Sequence, residues 1–182
     1  MEDLSLHILD VVENSIKAKA GRIEIRLRDD AAGDQITLEI ADDGAGMDAD
    51  TLNKALDPFF STKETRRIGL GLPLLAETAR AANGDFSIES LPGKGTKVTA
   101  TFQASHIDMK PLGDIALTVV TLIMGHPEVD ILYSHRIDQT HYSLDTREIK
   151  AQLNGISIAS PEVIRFIRDH IKEGLDNLRR PT

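Results

Sequence analysis

Two hydrophobic periods alternate along the chain and mark out its elements. From residue 3 to 20, Leu4, Ile8, Leu9, Val11, Val12 and Ile16 share one broad side at about 100° per residue. His7, Asp10, Asn14 and Lys17 form a narrow stripe on the opposite side. This predicts an amphipathic helix with Gly21 as its stop. The period then shortens to two. Ile23, Ile25 and Leu27 alternate with charged residues, as do Ile36, Leu38 and Ile40. The polar connection Asp29-Asp30-Ala31-Ala32-Gly33-Asp34 joins them, so the pair predicts a hairpin with one buried face. A short helix is expected over residues 50–56, with Asp48 as its cap.

A third helix follows Gly69-Leu70-Gly71-Leu72, with Pro73 in its first turn and Asn83-Gly84 at its end. Residues 86–90 and 97–102 alternate as strands around the turn Leu91-Pro92-Gly93-Lys94-Gly95. Beyond residue 104 the texture changes. Residues 114–124 predict a strongly apolar helix, and residues 129–134 and 140–144 a second hairpin turning near Asp138-Gln139. Asp145-Thr146-Arg147-Glu148 has the spacing of a capping box before a short helix. Ser160-Pro161 opens a final helix that buries Val163, Ile164, Ile167, Ile171 and Leu175. Two units are therefore expected: residues 1–104, and a small α-β-β-α-α segment over residues 105–182.

Composition narrows the function. Hydrophobic residues make up 41% and aromatics 4%, so the core must be mainly aliphatic. No apolar tract approaches the roughly eighteen residues of a membrane span. Met1-Glu2-Asp3-Leu4 lacks a secretory signal's basic start, so the cytoplasm is the expected compartment. The absence of cysteine excludes disulfides, thiolate zinc and iron–sulfur chemistry. A net charge of −8 argues against non-specific nucleic-acid binding. The basic islands Lys17/Lys19/Arg22, Arg66-Arg67 and Arg179-Arg180 still leave room for a small anionic ligand.

Four separated pieces carry candidate chemistry. In Asp10-Val-Val-Glu-Asn14, the amide oxygen of Asn14 suits Mg²⁺, a hard ion preferring oxygen ligands. Asp10, one turn away on the same face, could orient a water, and Lys17 could meet a phosphate. Taken alone, the stripe reads as a solvated helix face. In Asp42-Asp43-Gly44-Ala45-Gly46-Met47, a carboxylate at a strand end can accept from an adenine amine while the glycines let the backbone turn close by. Alone, it is an ordinary Asp/Gly turn. Gly69, Leu70, Gly71 and Leu72 precede a helix whose free N–H groups attract phosphate, and Lys63, Arg66 and Arg67 lie just upstream. In Gly93-Lys94-Gly95-Thr96, Thr96 could hold a water beside Asp42.

Together, and in this order, these pieces resemble the boxes of the GHKL superfamily, which includes gyrase B, heat-shock chaperone ATPases, sensor histidine kinases and MutL. Asp10 to Ala18 is similar to the N box and Asp42 to Met47 to the G1 box. Asp57-Pro58-Phe59-Phe60-Ser61-Thr62-Lys63 is similar to the histidine-kinase F box, Gly69 to Leu72 to the G2 box, and Gly93 to Thr96 to the closing Gly-Thr element. The resemblance implies a Bergerat fold, an α/β (α+β) two-layer sandwich with a mixed sheet under helices, binding ATP and Mg²⁺. It assigns Asn14 to the metal, Asp42 and Thr96 to adenine, and Gly69 and Gly71 to phosphates.

Two departures shape the expected mechanism. Hydrolysing members carry Glu where this chain has Asp10, one methylene shorter. Glu13, pointing about 60° away on the helix, is an alternative base, although it reads first as a structural or solvated carboxylate. A phospho-acceptor hairpin ahead of the ATP unit is not expected, because the N box lies in the first helix. His7 is expected at the pocket edge or in solvent. His106, His126, His135, His141 and His170 show no metal spacing, although His135 and His141 could face each other across the second hairpin.

The expected function is a histidine-kinase-like module that phosphorylates or regulates a partner in trans. The alternatives are a MutL-like slow ATPase switch, working as a homodimer, and a non-catalytic ATP sensor. Chains of this layout in the family tend to be encoded beside NADH-linked iron hydrogenase subunits, an association without a mechanism that puts a hydrogenase-associated protein among the candidate partners, whether phospho-acceptor or regulated enzyme.

Overall fold

A computed structural model of the chain describes residues 3–57 and 71–179. The first helix, α1 (Leu4–Lys17), is capped by Asp3, which accepts from the Leu6 N–H at 3.1 Å. It ends earlier than Gly21. The Ala20 N–H reaches back to the Ser15 carbonyl and the Lys19 N–H to that of Ile16, with Lys19 at φ 62°. That Schellman-type ending saturates the last carbonyls with a lysine in the left-handed position. Gly21 instead donates its N–H to Asp43 Oδ1 at 2.8 Å, fastening the turn into the sheet.

Strands β1 (Arg22–Asp30) and β2 (Gln35–Asp42) form the expected antiparallel hairpin, Ile25 opposite Ile40. Helix α2 (Ala49–Ala55) starts at Asp48, which accepts from the Thr51 N–H. Helix α3 (Gly71–Ala81) ends with Asn83 at φ 53° and the Gly84 N–H bonded to the Ala79 carbonyl. Strands β3 (Phe86–Leu91) and β4 (Gly95–Gln103) pair with each other, and β4 also pairs with β2.

The chain after residue 104 joins the same sheet. Helix α4 (Ile115–Gly125) leads into β5 (Asp130–Ile137), which lies parallel to β1, with Ile23 beside Ile131 and Ile25 beside Tyr133. Strand β6 (Thr140–Asp145) folds back on β5, giving the mixed order β3-β4-β2-β1-β5-β6. Helices α5 (Thr146–Gln152) and α6 (Pro161–Leu178) complete the chain. Pairing with β5 satisfies the second backbone edge of β1 and extends its apolar face. Ile23, Ile25 and Leu27 share a buried face, and β5 sets the buried Ile131 and Tyr133 beside Ile23 and Ile25 on it. The residues expected to form a separate small unit thus share one hydrophobic core with the first hundred.

Helices α3, α1, α4 and α6 pack neighbour on neighbour over one face of the sheet. Helix α4, apolar nearly all round, is buried through Ile115, Ala116, Val119, Val120, Leu122 and Ile123, while Leu117 and Met124 face out. The other sheet face is polar. Arg26 bridges Glu24 and Glu39, and Lys97 reaches Glu39 at 3.0 Å. These exposed pairs set register more than stability.

The two hairpin histidines do not face each other. His135 stands opposite Tyr142, and His141 opposite Arg136. One residue of register puts their side chains on opposite faces. His135 is buried and meets the Tyr133 hydroxyl at 3.0 Å, whereas His141 is exposed. Burial pushes the His135 imidazole down to about 4, and does the same to His7 on α1.

Both groups bind protons more readily in the unfolded chain. Their contribution is therefore complete above about pH 6.5 and drains away as pH falls towards 4, by about 3 kcal/mol each. The thermal midpoint is expected to be flat from about pH 8 to 7 and to fall steeply between about pH 6.5 and 4. His7→Asn and His135→Asn should each flatten that slope in a calorimetric pH series.

Candidate functional site

The site is built on Asp42, the last residue of β2. Its Oδ1 accepts from the Gly44 N–H at 2.9 Å and the Thr96 N–H at 3.2 Å. Its Oδ2 accepts from the Ser15 hydroxyl at 2.5 Å. Asp42 and Thr96 are direct register partners across β2 and β4. The Thr96 hydroxyl lies 2.9 Å from the Ser90 hydroxyl, which also accepts from the Met47 N–H at 2.8 Å. The carboxylate is thus oriented by donors from α1, the following loop and β4, with its outer edge left for a ligand.

The loop after Asp42 runs where side chains cannot. Gly46 has φ +67° and a Cβ there would lie 1.9 Å from the Leu91 carbonyl oxygen. Gly95 has φ +84° and its Cβ would meet the Asp42 carbonyl oxygen at 1.8 Å. The loop is strapped on both sides, the Ala45 N–H to the Ala18 carbonyl and the Gly93 N–H to that of Ala45. Asp43 is structural: its Oδ1 accepts from the N–H groups of Gly21 and Arg22.

Above Asp42 opens a cavity of about 250 Å³. Its walls are Val11, Ile40, Met47, Leu72 and Val98, with Asn14 and Lys17 on the α1 side. An apolar slot with one carboxylate at its base suits a flat heteroaromatic ring with an amino edge. Asn14, Lys17, Asp42, Gly46, Met47, Leu72 and Thr96, all anticipated from sequence, line this one cavity. Gly44 serves from beneath through its N–H.

The polar stripe of α1 lies beside the start of α3: His7 is buried, Asn14 is half-buried, and Asp10 and Lys17 are exposed. A Cβ on Gly71 would stand 3.1 Å from Asp10 Cβ and 3.8 Å from Asn14 Nδ2, so the first turn of α3 rests on both residues. That brings a helix start beside an amide oxygen able to hold Mg²⁺ with waters and phosphate oxygens. Partial burial raises the Asp10 carboxyl, Glu13 adds to the rise, and Lys17 opposes it.

One expectation is corrected. His7 is neither at the pocket edge nor in solvent: it is buried, with Nε2 3.1 Å from the Thr78 hydroxyl of α3. Glu13 does not line this cavity: it leans to the α4 side and meets His126 Nε2 at 3.5 Å. The helical offset from Asp10 directs it there. Lys63, Arg66, Arg67, Gly69 and Leu70, with the rest of the F box after Asp57, lie outside the described residues.

Sequence reasoning missed Ser15, Ser90, Val11, Ile40, Val98, Ala18 and Ala55. Ser15 had a readable signal. It follows Asn14 on the border between the polar and apolar sides of α1, where a hydroxyl buried by packing needs an acceptor. Ser90 had none, since only strand register sets it beside Thr96.

Residues 2–106 match the family described as Histidine kinase-, DNA gyrase B-, and HSP90-like ATPase. The signal transduction histidine-protein kinase AtoS of Escherichia coli (strain K12) is 37% identical over 93 residues, 50% of this chain and 15% of AtoS. The sensor protein kinase FleS of Pseudomonas aeruginosa is 39% identical over 92 residues, 50% of this chain and 23% of FleS. The chain therefore spans under a quarter of either kinase's length. In fold it is similar to the Aquifex aeolicus MutL ATPase domain complexed with ADP, with TM-score 0.53 and 13% identity, over 97% of this chain and 70% of that one. The N-terminal domain of a DNA repair protein gives TM-score 0.56 at 16% identity, over 80% of this chain and 53% of that one.

The two glycines of the β3–β4 turn separate strain from collision. Gly93 has φ +72° with nothing within 4 Å of its Cβ position. Gly93→Ala is expected to cost about 1 kcal/mol, and Gly95→Ala about 3 kcal/mol or more with loss of the Asp42 geometry. Urea denaturation of both variants checks the difference.

Proposed function

The chain belongs to the histidine kinase-, DNA gyrase B- and HSP90-like ATPases, and from that premise we propose that it is a histidine-kinase-like catalytic module acting on a partner protein. The observation that carries this reading is the convergence of Asn14, Asp42 and Thr96 on one cavity, with the start of α3 against Asp10 and Asn14. In this reading Asp42 accepts from the adenine amine, and Thr96 with Ser90 positions a water at the ring. The apolar walls exclude bulk water from the base. Asn14 would hold Mg²⁺ through its amide oxygen, and the ion, when bound, neutralises phosphate charge. Gly71 lets the α3 N–H groups approach the phosphates, with Gly69, Leu70, Lys63, Arg66 and Arg67 assigned to the same end.

A histidine acceptor accounts for Asp10 in place of Glu. A neutral imidazole attacks with its own lone pair: the N–P bond forms as the bridging P–O bond to ADP breaks, and the ring proton leaves to solvent. No protein base is required, so Asp10 positions and does not deprotonate. The acceptor is read as a partner protein of the cytoplasm, a hydrogenase-associated one among the candidates. No described helix is long and apolar enough to cross a membrane.

One observation favours a second reading. The fold likeness to the MutL ATPase domain runs over 97% of this chain, so it takes in the residues after 104. A slow ATPase switch that dimerises on nucleotide would use the whole sheet.

Calorimetric titration with Mg·ADP is the first test. Asp42→Asn is expected to weaken binding about a hundredfold and Ser15→Ala about tenfold, because each removes an oriented buried partner. Asn14→Ala should abolish the magnesium dependence. Transfer of label from γ-labelled ATP to a histidine of an added partner, retained in Asp10→Asn, supports the kinase reading. Release of inorganic phosphate with nucleotide-dependent dimerisation, lost in Asp10→Asn, supports the switch and rejects the kinase.

A further inference from the structure

A second depression lies at the far edge of the sheet from the nucleotide cavity. It is formed by β6, α5 and α6 and encloses about 500 Å³. Its apolar surface comes from Leu144, Ile149, Leu153, Val163 and Phe166. Phe166 is 62% exposed, and its ring stacks on His170, one turn along α6, at 5.8 Å. An exposed stacked aromatic beside partly buried aliphatics has the make-up of an interface anchor, not of a solvated helix face.

The rim has one sign of charge. Among the described residues Asp145, Glu148 and Glu162 line it, and no lysine or arginine does. Asp145 is already taken: Arg147 reaches it at 2.8 Å, which holds its carboxyl below the usual range. Glu148 and Glu162 have no ion pair among the described residues, and they flank the apolar floor from α5 and α6. The edge of β6 also borders the depression at Ser143 and Leu144.

We infer that the groove between α5, α6 and the β6 edge docks a basic amphipathic helix of a partner protein, its apolar side on Phe166, Leu153 and Val163 and its Lys or Arg residues against Glu148 and Glu162. The charge complementarity chooses the occupant. A second copy of this acidic chain would bring carboxylates towards carboxylates, and an acidic segment would be repelled. The position also fits a docking role. In the order β2-β1-β5-β6, three strand spacings, about 14 Å, separate Asp42's strand from this edge. A partner held here leaves the nucleotide cavity open. The groove stands independently of which phosphate chemistry the cavity performs.

The test uses the full chain and three fluorescent helix-forming peptides of roughly 18 residues. All share one Leu/Phe face and carry Lys/Arg, Ser/Gln or Glu/Asp on the other. Anisotropy titration is expected to show the basic peptide binding at least about tenfold tighter than the acidic one. Phe166→Ala should weaken it about tenfold, and the double variant Glu148→Lys/Glu162→Lys should reverse the preference. Circular dichroism and the thermal midpoint should stay unchanged in both variants, which shows that they fold and separates this result from the fate of the nucleotide reading. Equal binding of all three peptides, binding indifferent to Phe166→Ala, or no binding at all overturns the proposal. So does a concentration-dependent dimer lost in Phe166→Ala, which would make the occupant a second copy.

Discussion

The carboxylate of Asp42 receives hydrogen bonds from a helix, a loop and a neighbouring strand, and the geometry of the site follows from that convergence. Ser15 reaches it from α1, Gly44 from the turn directly after it, and Thr96 from β4. A carboxylate with its inner lone pairs filled by fixed donors does not rotate, so its outer edge becomes a directional acceptor. The same bonds hold α1 at a set height over the sheet, and that height fixes the depth of the cavity. The steric demands at Gly46 and Gly95 are consequences: the loop and the β3–β4 turn must pass close to backbone for the Asp42 contacts to exist.

Helix α1 serves both layers at once. Its apolar side fills the core through Leu4, Ile8, Val11 and Val12, while its polar side meets α3. His7 bonds to Thr78 in the buried part of that contact, and Asp10 and Asn14 line the part that opens to solvent. Polarity along the helix is graded by depth. The buried imidazole stays neutral, and the two groups with ligand chemistry sit near the cavity mouth.

The residues after 104 enlarge the platform. Parallel pairing of β5 with β1 turns β1 from an edge into an interior strand, which protects the central hairpin from open-edge association. It also covers α1 with α4 and moves the sheet edge out to β6. There α5 and α6 leave an acidic, aromatic-floored groove at a distance from the nucleotide cavity. One sheet therefore carries two surfaces of different chemistry, three strands apart.

Nearly every helix and strand was legible in the chain, because period, capping residues and turn residues act over a few positions. Asp48, Asp114 and Asn83 mark helix ends in the sequence and do so in the structure. The ordered boxes also made the ligand class readable, since they name residue types that only make sense together. What the chain could not state was which distant residues meet. Ser15 lies 27 positions from Asp42, His7 lies 71 from Thr78, and Ser90 reaches Thr96 only through the register of β3 on β4. The sideways turn of Glu13 towards His126, the opposed faces of His135 and His141, and the union of both halves in one sheet belong to the same class. Local patterns set what each segment is. Side-chain packing across the core sets where it goes, and a one-residue choice of register there changes every neighbour a polar group can find.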